Sequence, residues 1–212
     1  MTSQLIKSLY YVLDNPDFNK DCISGGQLKS KEWLVKKVEE YCPDLGIVFL
    51  CAGWYATLAT MLFESNVLVT KIRSFDIDPK VWEIAEIFNT ELVSNAWKFK
   101  ASTQDIMDID YTEHTYDTIK PGGEVTSVNR EVPNTIVNTS CEHIENWSDW
   151  WNKIPKGKLC ILQSNDYKEL PEHINCVDNV DHFKSIAPMT TYLYGGDLIL
   201  GKYTRYMIIG IK

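Results

Sequence analysis

Two patterns of hydrophobic positions alternate along most of the chain. Continuous apolar runs of strand length, such as residues 46–51, are typical of strands buried on both faces of a sheet. Between them, apolar residues recur at helical spacing, as in the stripe formed by Val81, Ile84, Ala85 and Phe88. The pattern predicts seven strands, at residues 46–51, 71–76, 97–101, 134–139, 158–163, 190–194 and 205–211.

The predicted helices lie between these strands and at the N-terminus. Strands that alternate with helices indicate a mostly parallel sheet covered by helices on both faces. The last two strands are joined by a short link, so they predict an antiparallel hairpin at the edge of the sheet. Five predicted helices cover residues 3–13, 27–41, 54–64, 147–153 and 178–186. A further helix is predicted after the second strand, with Asp78 as its N-cap and Pro79 as its first residue.

The remaining segments suggest one α/β domain with an extension. We expect residues 1–212 to form a single domain, in which residues 1–44 are an N-terminal helical extension or lid. Gly25 and Gly26 permit a tight backbone before the second helix, where Lys29 and Lys31 either reach a ligand carboxylate or belong to a solvated helix face. The least regular segment, Ser102–Pro133, predicts a functional loop or insertion with Pro121, Gly122 and Gly123 at its middle.

Composition and charge narrow the class of partner. No apolar run approaches the roughly 20 residues needed to span a bilayer, and the first residues resemble neither a basic leader nor a cleavage site. These features, and six cysteines without close CxxC pairing, predict a cytoplasmic protein in a reducing compartment. The formal net charge of −8 disfavours nucleic acid and favours a small molecule as the substrate.

Three segments combine a strand, its carboxyl end and a polar or glycine-containing turn. In residues 48–64 (VFLCAGWYATLATMLFE), Gly53 lies in the turn between strand and helix, followed by Trp54 and Tyr55. In residues 72–88 (IRSFDIDPKVWEIAEIF), Asp76 ends the strand, 76 − 53 = 23 positions after Gly53. That interval is close to the roughly 20 residues of ribose-binding units. In residues 99–108 (FKASTQDIMD), Asp105 follows the third strand.

With the closing hairpin, these segments resemble the class I S-adenosylmethionine-dependent methyltransferase superfamily, over roughly residues 45–212. The resemblance implies a Rossmann-like fold and S-adenosylmethionine as the cofactor. It implies that Gly53 allows the backbone to approach the amino-acid part of the cofactor, and that Asp76 accepts both ribose hydroxyls. It also implies that Asp105 meets the adenine amino group. Trp54 and Tyr55 would lie beside the sulfonium, or else are core aromatics.

The turn of this chain departs from the family pattern. The usual turn is richer in glycine and follows an acid within the strand. Here the turn contains Ala52, Trp54 and Ala56, and Phe49 and Leu50 occupy the neighbourhood of the acid. A GxGxxG dinucleotide pattern is absent as well.

Candidate catalytic residues follow the fourth strand. Asn138, Glu142 and His143 stand at its carboxyl end, where ligands bind in open α/β sheets. His143 is the candidate base because an imidazole titrates near neutrality, and Asn138 is a candidate for both acceptor and cofactor contact. Alternatively, Glu142 and His143 anchor the following helix. The Trp147, Trp150 and Trp151 cluster, by its spacing, predicts packing.

We expect no metal site, but the sequence leaves one alternative open. Cys141 and His143 form one pair of zinc-compatible ligands, and His173 and Cys176 form a second pair, 173 − 143 = 30 positions apart. Together they would satisfy a tetrahedral site, although the spacing matches no recognised zinc motif.

The function predicted from the sequence is methyl transfer from S-adenosylmethionine to a small molecule. The strand-four end lacks the Asp/Asn-Pro-Pro-Tyr/Phe pattern of nucleic-acid amino-methylating relatives. Two alternatives remain. One is another reaction of the same cofactor, namely aminocarboxypropyl transfer, cyclisation or cleavage. The other is a non-catalytic binding protein with the same fold. The sequence does not indicate an oligomeric state.

Overall fold

The computed structural model describes residues 3–119 and 125–212, and within them nine strands and seven α-helices. The strands are β1 (Asp44–Cys51), β2 (Leu68–Asp76), β3 (Phe99–Thr103), β4 (His114–Ile119), β5 (Val125–Glu131), β6 (Thr135–Asn138), β7 (Leu159–Asn165), β8 (Thr191–Ile199) and β9 (Thr204–Ile211). The helices are α1 (Ser3–Val12), α2 (Gly25–Tyr41), α3 (Thr57–Phe63), α4 (Val81–Phe88), α5 (Thr90–Ser94), α6 (Trp147–Lys153) and α7 (Val180–Ile186). No helix in these ranges is long and apolar enough to cross a membrane.

Seven strands form one sheet in the order β3-β2-β1-β6-β7-β9-β8. The first five in this order run parallel to one another, whereas β9 is antiparallel to both β7 and β8. The predicted mostly parallel sheet and its closing antiparallel hairpin are therefore confirmed. All seven predicted sheet strands are found, with ends that shift by a few residues.

The strand order reverses at β1, which lies between β2 and β6. From β1 the chain builds outward through β2 and β3, and then returns to add β6 and β7 on the other side. Connections that leave a strand in opposite directions open a crevice beyond the carboxyl ends of the strands. Cys51 and Asn138 pair at that edge, where β1 and β6 end.

Alternating side chains of the central strands fill two cores. From β1, Phe49 and Cys51 enter the core covered by α6 and α7, whereas Val48 and Leu50 enter the core covered by α2, α3 and α4. All four are buried because the sheet is covered on both faces. The predicted packing role of the tryptophans in α6 is confirmed, since Trp147, Trp150 and Trp151 lie in the first of these cores.

Helix α4 begins later than the sequence predicts. Its first residue is Val81, and Lys80 is the N-cap, so Pro79 is not the first helical residue. Asp78 still serves the local turn, because its carboxylate accepts a hydrogen bond of 2.9 Å from the backbone N–H of Lys80. The predicted stripe is confirmed: Val81, Ile84, Ala85 and Phe88 are all buried.

The segment predicted to be an irregular insertion contains an antiparallel hairpin. Strands β4 and β5 pair with each other as a separate two-stranded sheet. A buried ion pair ties this hairpin to the main sheet: Arg73 Nε of β2 lies 2.7 Å from Glu131 Oε2 of β5. Residues 120–124, which include the Pro121–Gly123 turn singled out in the sequence, lie outside the described residues.

Candidate functional site

A cleft of about 1160 Å³ opens at the carboxyl ends of the parallel strands. Its walls come from the loops after β1, β2, β3, β6 and β7, from the start of α2, and from the link between β8 and β9. This is the position at which open α/β sheets bind their ligands. The predicted site residues that line it are Trp54, Asp76, Asp105, Glu142 and His143.

The loop after β1 has an unusual backbone. Ala52, Trp54 and Ala56 have φ values of 50°, 49° and 48°, which is the left-handed region that favours glycine. The family's turn is richer in glycine. In this chain, three residues that are not glycine adopt the backbone conformation that glycine favours. Left-handed geometry costs an ordinary residue about 1–2 kcal/mol, so tertiary contacts must hold the loop in place.

Asp76 at the end of β2 supplies one such contact. Its Oδ2 accepts a hydrogen bond of 2.8 Å from the backbone N–H of Trp54, and its Oδ1 accepts one of 3.1 Å from the N–H of Asp78. Burial raises the pKa of Asp76 above its usual value, although these two hydrogen bonds oppose the shift. Each carboxylate oxygen keeps a lone pair that a ligand hydroxyl can use.

Asp105 lies on the same side of the cleft. Its Oδ1 accepts a hydrogen bond of 2.8 Å from the N–H of Met107 and thereby caps the short 3₁₀ turn Ile106–Asp108. Ile106 and Met107 line the cleft beside it. A carboxylate between apolar side chains suits a planar heterocycle that carries an amino group.

Three predicted residues do not line the cleft. A Cβ on Gly53 would lie 2.1 Å from Ser74 Oγ, so this glycine serves the close approach of the loop to β2. The Tyr55 hydroxyl donates to the carbonyl of Asp17 at 2.5 Å, which ties the loop to the N-terminal segment. Asn138 is fully buried, and its Oδ1 accepts from the N–H of Ser140 at 2.8 Å.

Glu142 occupies the other end of the cleft and is held by two partners. Its Oε1 accepts a hydrogen bond of 2.6 Å from Asn165 Nδ2 and lies 3.3 Å from the guanidinium of Arg205. Only 2% of the Glu142 surface is exposed. Its Oε2 is also buried and has no hydrogen-bond partner among the described residues.

His143 and His173 stand beside Glu142. Their ring centres are 4.6 Å apart with an edge-to-face geometry. A ligand atom of His143, one of His173 and one carboxylate oxygen of Glu142 all lie within 4.8 Å of one another. This set differs from the zinc alternative suggested by the sequence, since Cys141 and Cys176 are not among the three.

Several cleft features escaped the sequence analysis. Arg205 and Tyr203 line the cleft, but their positions depend on the pairing of β9 with β7, which short-range patterns do not fix. Lys31 does not lie on a solvated helix face, because only 8% of it is exposed and Gln27 accepts its ammonium hydrogen bond at 2.7 Å. Burial and the nearby Arg205 charge lower the pKa of Lys31 to about 8.

No protein-family model matches the chain, and no curated protein sequence matches it significantly. Solved structures do match. Magnesium protoporphyrin IX methyltransferase (ChlM) from Synechocystis PCC 6803, with bound S-adenosylhomocysteine, is 12% identical. It aligns over 99% of this chain and 94% of its own, with a TM-score of 0.61.

Two further structures extend the comparison. The N-methyltransferase NodS from Bradyrhizobium japonicum WM9, in complex with S-adenosylhomocysteine, is 9% identical over 99% of both chains, with a TM-score of 0.60. Burkholderia thailandensis 1,6-didemethyltoxoflavin-N1-methyltransferase is 6% identical over 96% of this chain and 88% of its own, with a TM-score of 0.57. At these identities the similarity concerns the fold. The chain therefore has the Rossmann-like fold of the class I S-adenosylmethionine-dependent methyltransferases.

Proposed function

We propose that the chain is an S-adenosylmethionine-dependent methyltransferase that acts on a small molecule. The observation that carries this proposal is the position of Asp76. It ends the strand next to β1, lines the cleft, and accepts a hydrogen bond from the loop after β1. The similar structures of ChlM and NodS contain S-adenosylhomocysteine, the demethylated form of this cofactor.

At the cofactor end, Asp76 accepts hydrogen bonds from the two ribose hydroxyls, and Asp105 accepts one from the adenine amino group. Ile106 and Met107 supply apolar contact to the adenine ring. The cofactor's amino-acid part lies against the loop after β1, whose close approach to Ser74 of β2 requires the absence of a side chain at Gly53.

Trp54 and Tyr55 have different roles in this arrangement. The Trp54 ring lines the cleft, where its face attracts the positive sulfonium, and it stacks on Tyr55 at 4.9 Å between ring centres. Tyr55 itself is 3% exposed and supports the loop without touching the ligand.

At the acceptor end, His143 and Glu142 face the methyl group. The acceptor atom would donate a lone pair to the methyl carbon, and the electrons of the S–CH₃ bond would return to sulfur to give S-adenosylhomocysteine. Where the acceptor atom carries a proton, that proton would pass to water. Because the sulfonium already activates the methyl group, the protein's main task is alignment. Asn138 contributes by position: its hydrogen bond to Ser140 shapes the turn that presents Glu142 and His143.

Residues 1–44 act as an extension that covers the cleft within one domain. Asp21, Ser24, Gly26 and Gln27 line the cleft together with the loops after the parallel strands. The covered cleft and the formal charge of −8 favour a small, non-phosphodiester acceptor over nucleic acid.

The test is product analysis with methyl-labelled S-adenosylmethionine and pooled small-molecule acceptors. Methyl transfer yields S-adenosylhomocysteine and a labelled acceptor, whereas aminocarboxypropyl transfer or cofactor cleavage yields methylthioadenosine. The Asp76→Ala variant is the matched control and, at cofactor concentrations below saturation, should form about tenfold less of either product. A folded wild-type protein that binds neither S-adenosylmethionine nor S-adenosylhomocysteine would refute the proposal and favour a non-catalytic role.

A further inference from the structure

We propose that Glu142, His143 and His173 bind a divalent transition-metal ion at the acceptor end of the cleft. One ligand atom from each side chain lies within 4.8 Å of the other two. An ion at their centre needs only small side-chain movements, since metal–nitrogen and metal–oxygen bonds are about 2.0–2.2 Å long. All three residues line the same cleft.

One oxygen of the Glu142 carboxylate has no hydrogen-bond partner among the described residues. Asn165 and Arg205 both contact Oε1, so that atom is held in place. Oε2 is buried and lacks a hydrogen-bond partner among the described residues. Leaving a buried carboxylate oxygen unpaired is costly, so such an atom requires an explanation. A bound cation supplies one.

The two histidines are held in the form that binds metals. His143 Nδ1 lies 3.2 Å from the carbonyl oxygen of Glu172, and His173 Nδ1 lies 2.7 Å from that of Tyr167. A carbonyl oxygen only accepts hydrogen bonds, so each Nδ1 must carry the proton. The neutral ring then has its free lone pair on Nε2. Backbone carbonyls hold metal-binding histidines in the same way in many proteins.

The donor set indicates the class of ion. Two imidazoles and one carboxylate favour zinc and neighbouring transition metals over calcium or magnesium, which prefer oxygen ligands. The guanidinium of Arg205, 3.3 Å from Glu142 Oε1, offsets part of the carboxylate charge. We therefore expect a weaker affinity than that of a closed structural zinc site.

Three protein ligands leave coordination positions open toward the cleft. In such sites the open position takes water or a substrate atom. If the proposed methyl transfer is correct, an acceptor oxygen or nitrogen binds there and is oriented toward the methyl group. His143 is then a metal ligand, and not the general base that its sequence position suggested.

The experiment is a titration of tag-free, chelator-treated protein with Co²⁺, followed by absorption, and with Zn²⁺, followed by calorimetry. We expect one ion per chain in the wild type. His143→Ala should weaken binding at least tenfold, and so should His173→Ala. His182→Ala is the matched control, because His182 is half-buried and lies outside the cluster. Cys176→Ser tests the cysteine-containing alternative.

Each outcome decides the proposal. The proposal is supported if metal binding is unchanged in His182→Ala and Cys176→Ser and is weakened in His143→Ala and His173→Ala. The Co²⁺ spectrum should then show no thiolate-to-cobalt absorption band. Absence of binding in the wild type, equal affinity in His143→Ala, or loss in Cys176→Ser overturns it. Binding of S-adenosylhomocysteine is measured on the same samples. Retained nucleoside binding shows that the cluster variants are folded, and metal binding without nucleoside binding would refute the proposed function alone.

Discussion

Asp76 and Trp54 are joined by a hydrogen bond of 2.8 Å from the backbone N–H of Trp54 to the carboxylate of Asp76. This bond connects the end of β2 to a loop in which Trp54 has a left-handed backbone. The residue that we propose to bind the ribose therefore also holds the loop that we propose to bind the amino-acid part of the cofactor. One carboxylate organises both halves of the site.

The ionisation of Asp76 makes binding pH-dependent. Burial raises the pKa of Asp76 above its usual value of 3.8. Only the ionised carboxylate accepts hydrogen bonds from both ribose hydroxyls. We therefore expect the affinity for S-adenosylhomocysteine to fall as the pH drops through this raised pKa. Calorimetric titrations over the acidic range measure the effect, and Asp76→Asn should show a weaker pH dependence. Identical pH profiles in the two proteins would exclude this role.

The contact between Gly53 and Ser74 predicts the cost of a single methyl group. A Cβ on residue 53 would lie 2.1 Å from Ser74 Oγ and 3.1 Å from Leu50 Cγ. Gly53→Ala should lower the free energy of unfolding by about 1–3 kcal/mol. Adding Ser74→Ala should recover part of that loss, and urea unfolding measures both. Gly25→Ala is the control, because a Cβ there meets no atom within 4 Å. A Gly53→Ala protein with the same free energy of unfolding as the wild type would contradict this packing.

The left-handed residues predict a stabilising change in the same loop. Ala52 has φ of 50°, a conformation that glycine adopts without strain. Ala52→Gly should raise the free energy of unfolding by roughly 0.5–1 kcal/mol, after allowing for the greater chain entropy of glycine. Ala59→Gly, within α3, should lower it by about 1 kcal/mol. Equal effects from the two changes in urea unfolding would argue against a strained loop.

The Arg73–Glu131 ion pair should be important for stability. Only 5% of each side chain is exposed. Burial raises the pKa of Glu131, but the hydrogen bonds and charges of Arg73 and Lys71 outweigh it and leave the pKa below its usual value. Stability from this pair is thus present above the unfolded-state pKa and is lost as the pH falls through the folded-state pKa.

Removing one partner leaves a buried charge unpaired. Glu131→Gln should lower the free energy of unfolding by about 3–5 kcal/mol near neutral pH. The exposed pair of Glu113 and Arg130, 3.6 Å apart, provides the comparison. Glu113→Gln should change stability by less than about 0.5 kcal/mol. Comparable losses in the two variants, measured by urea unfolding, would show that burial does not govern the effect.

Much of the fold was predictable because its signals are local. Apolar runs such as 46–51 and the stripe from Val81 to Phe88 fixed the strands and helices that form the two cores. The hairpin of β4 and β5 was missed, because its strands are largely polar and one partner of its anchor, Arg73, lies on another strand. Long-range pairing of this kind leaves no short-range pattern.

In the candidate site, as in the fold, the residues that depend on local patterns were predictable and those that depend on long-range pairing were not. Asp76 ends β2 and Asp105 comes two residues after β3, so their place at the sheet edge follows from the strand pattern. The buried pair of Glu142 and Arg205 depends on the antiparallel return of β9, which the sequence does not specify at the level of single residues. Asn138 is fully buried and its Oδ1 accepts from the backbone N–H of Ser140, whereas its Nδ2 has no hydrogen-bond partner among the described residues, so its contact with a ligand stays a prediction.

The most direct test of the proposed site is a calorimetric titration of S-adenosylhomocysteine into the wild type, Asp76→Ala and Asp78→Ala. Asp78 is the matched control because its exposed carboxylate accepts a hydrogen bond from Lys80 in the turn before α4 and does not line the cleft. We predict saturable binding by the wild type and by Asp78→Ala, and at least tenfold weaker binding by Asp76→Ala, or about 1.4 kcal/mol. No saturable binding by folded wild-type protein, or equal affinities of the two variants, would contradict the cofactor site described.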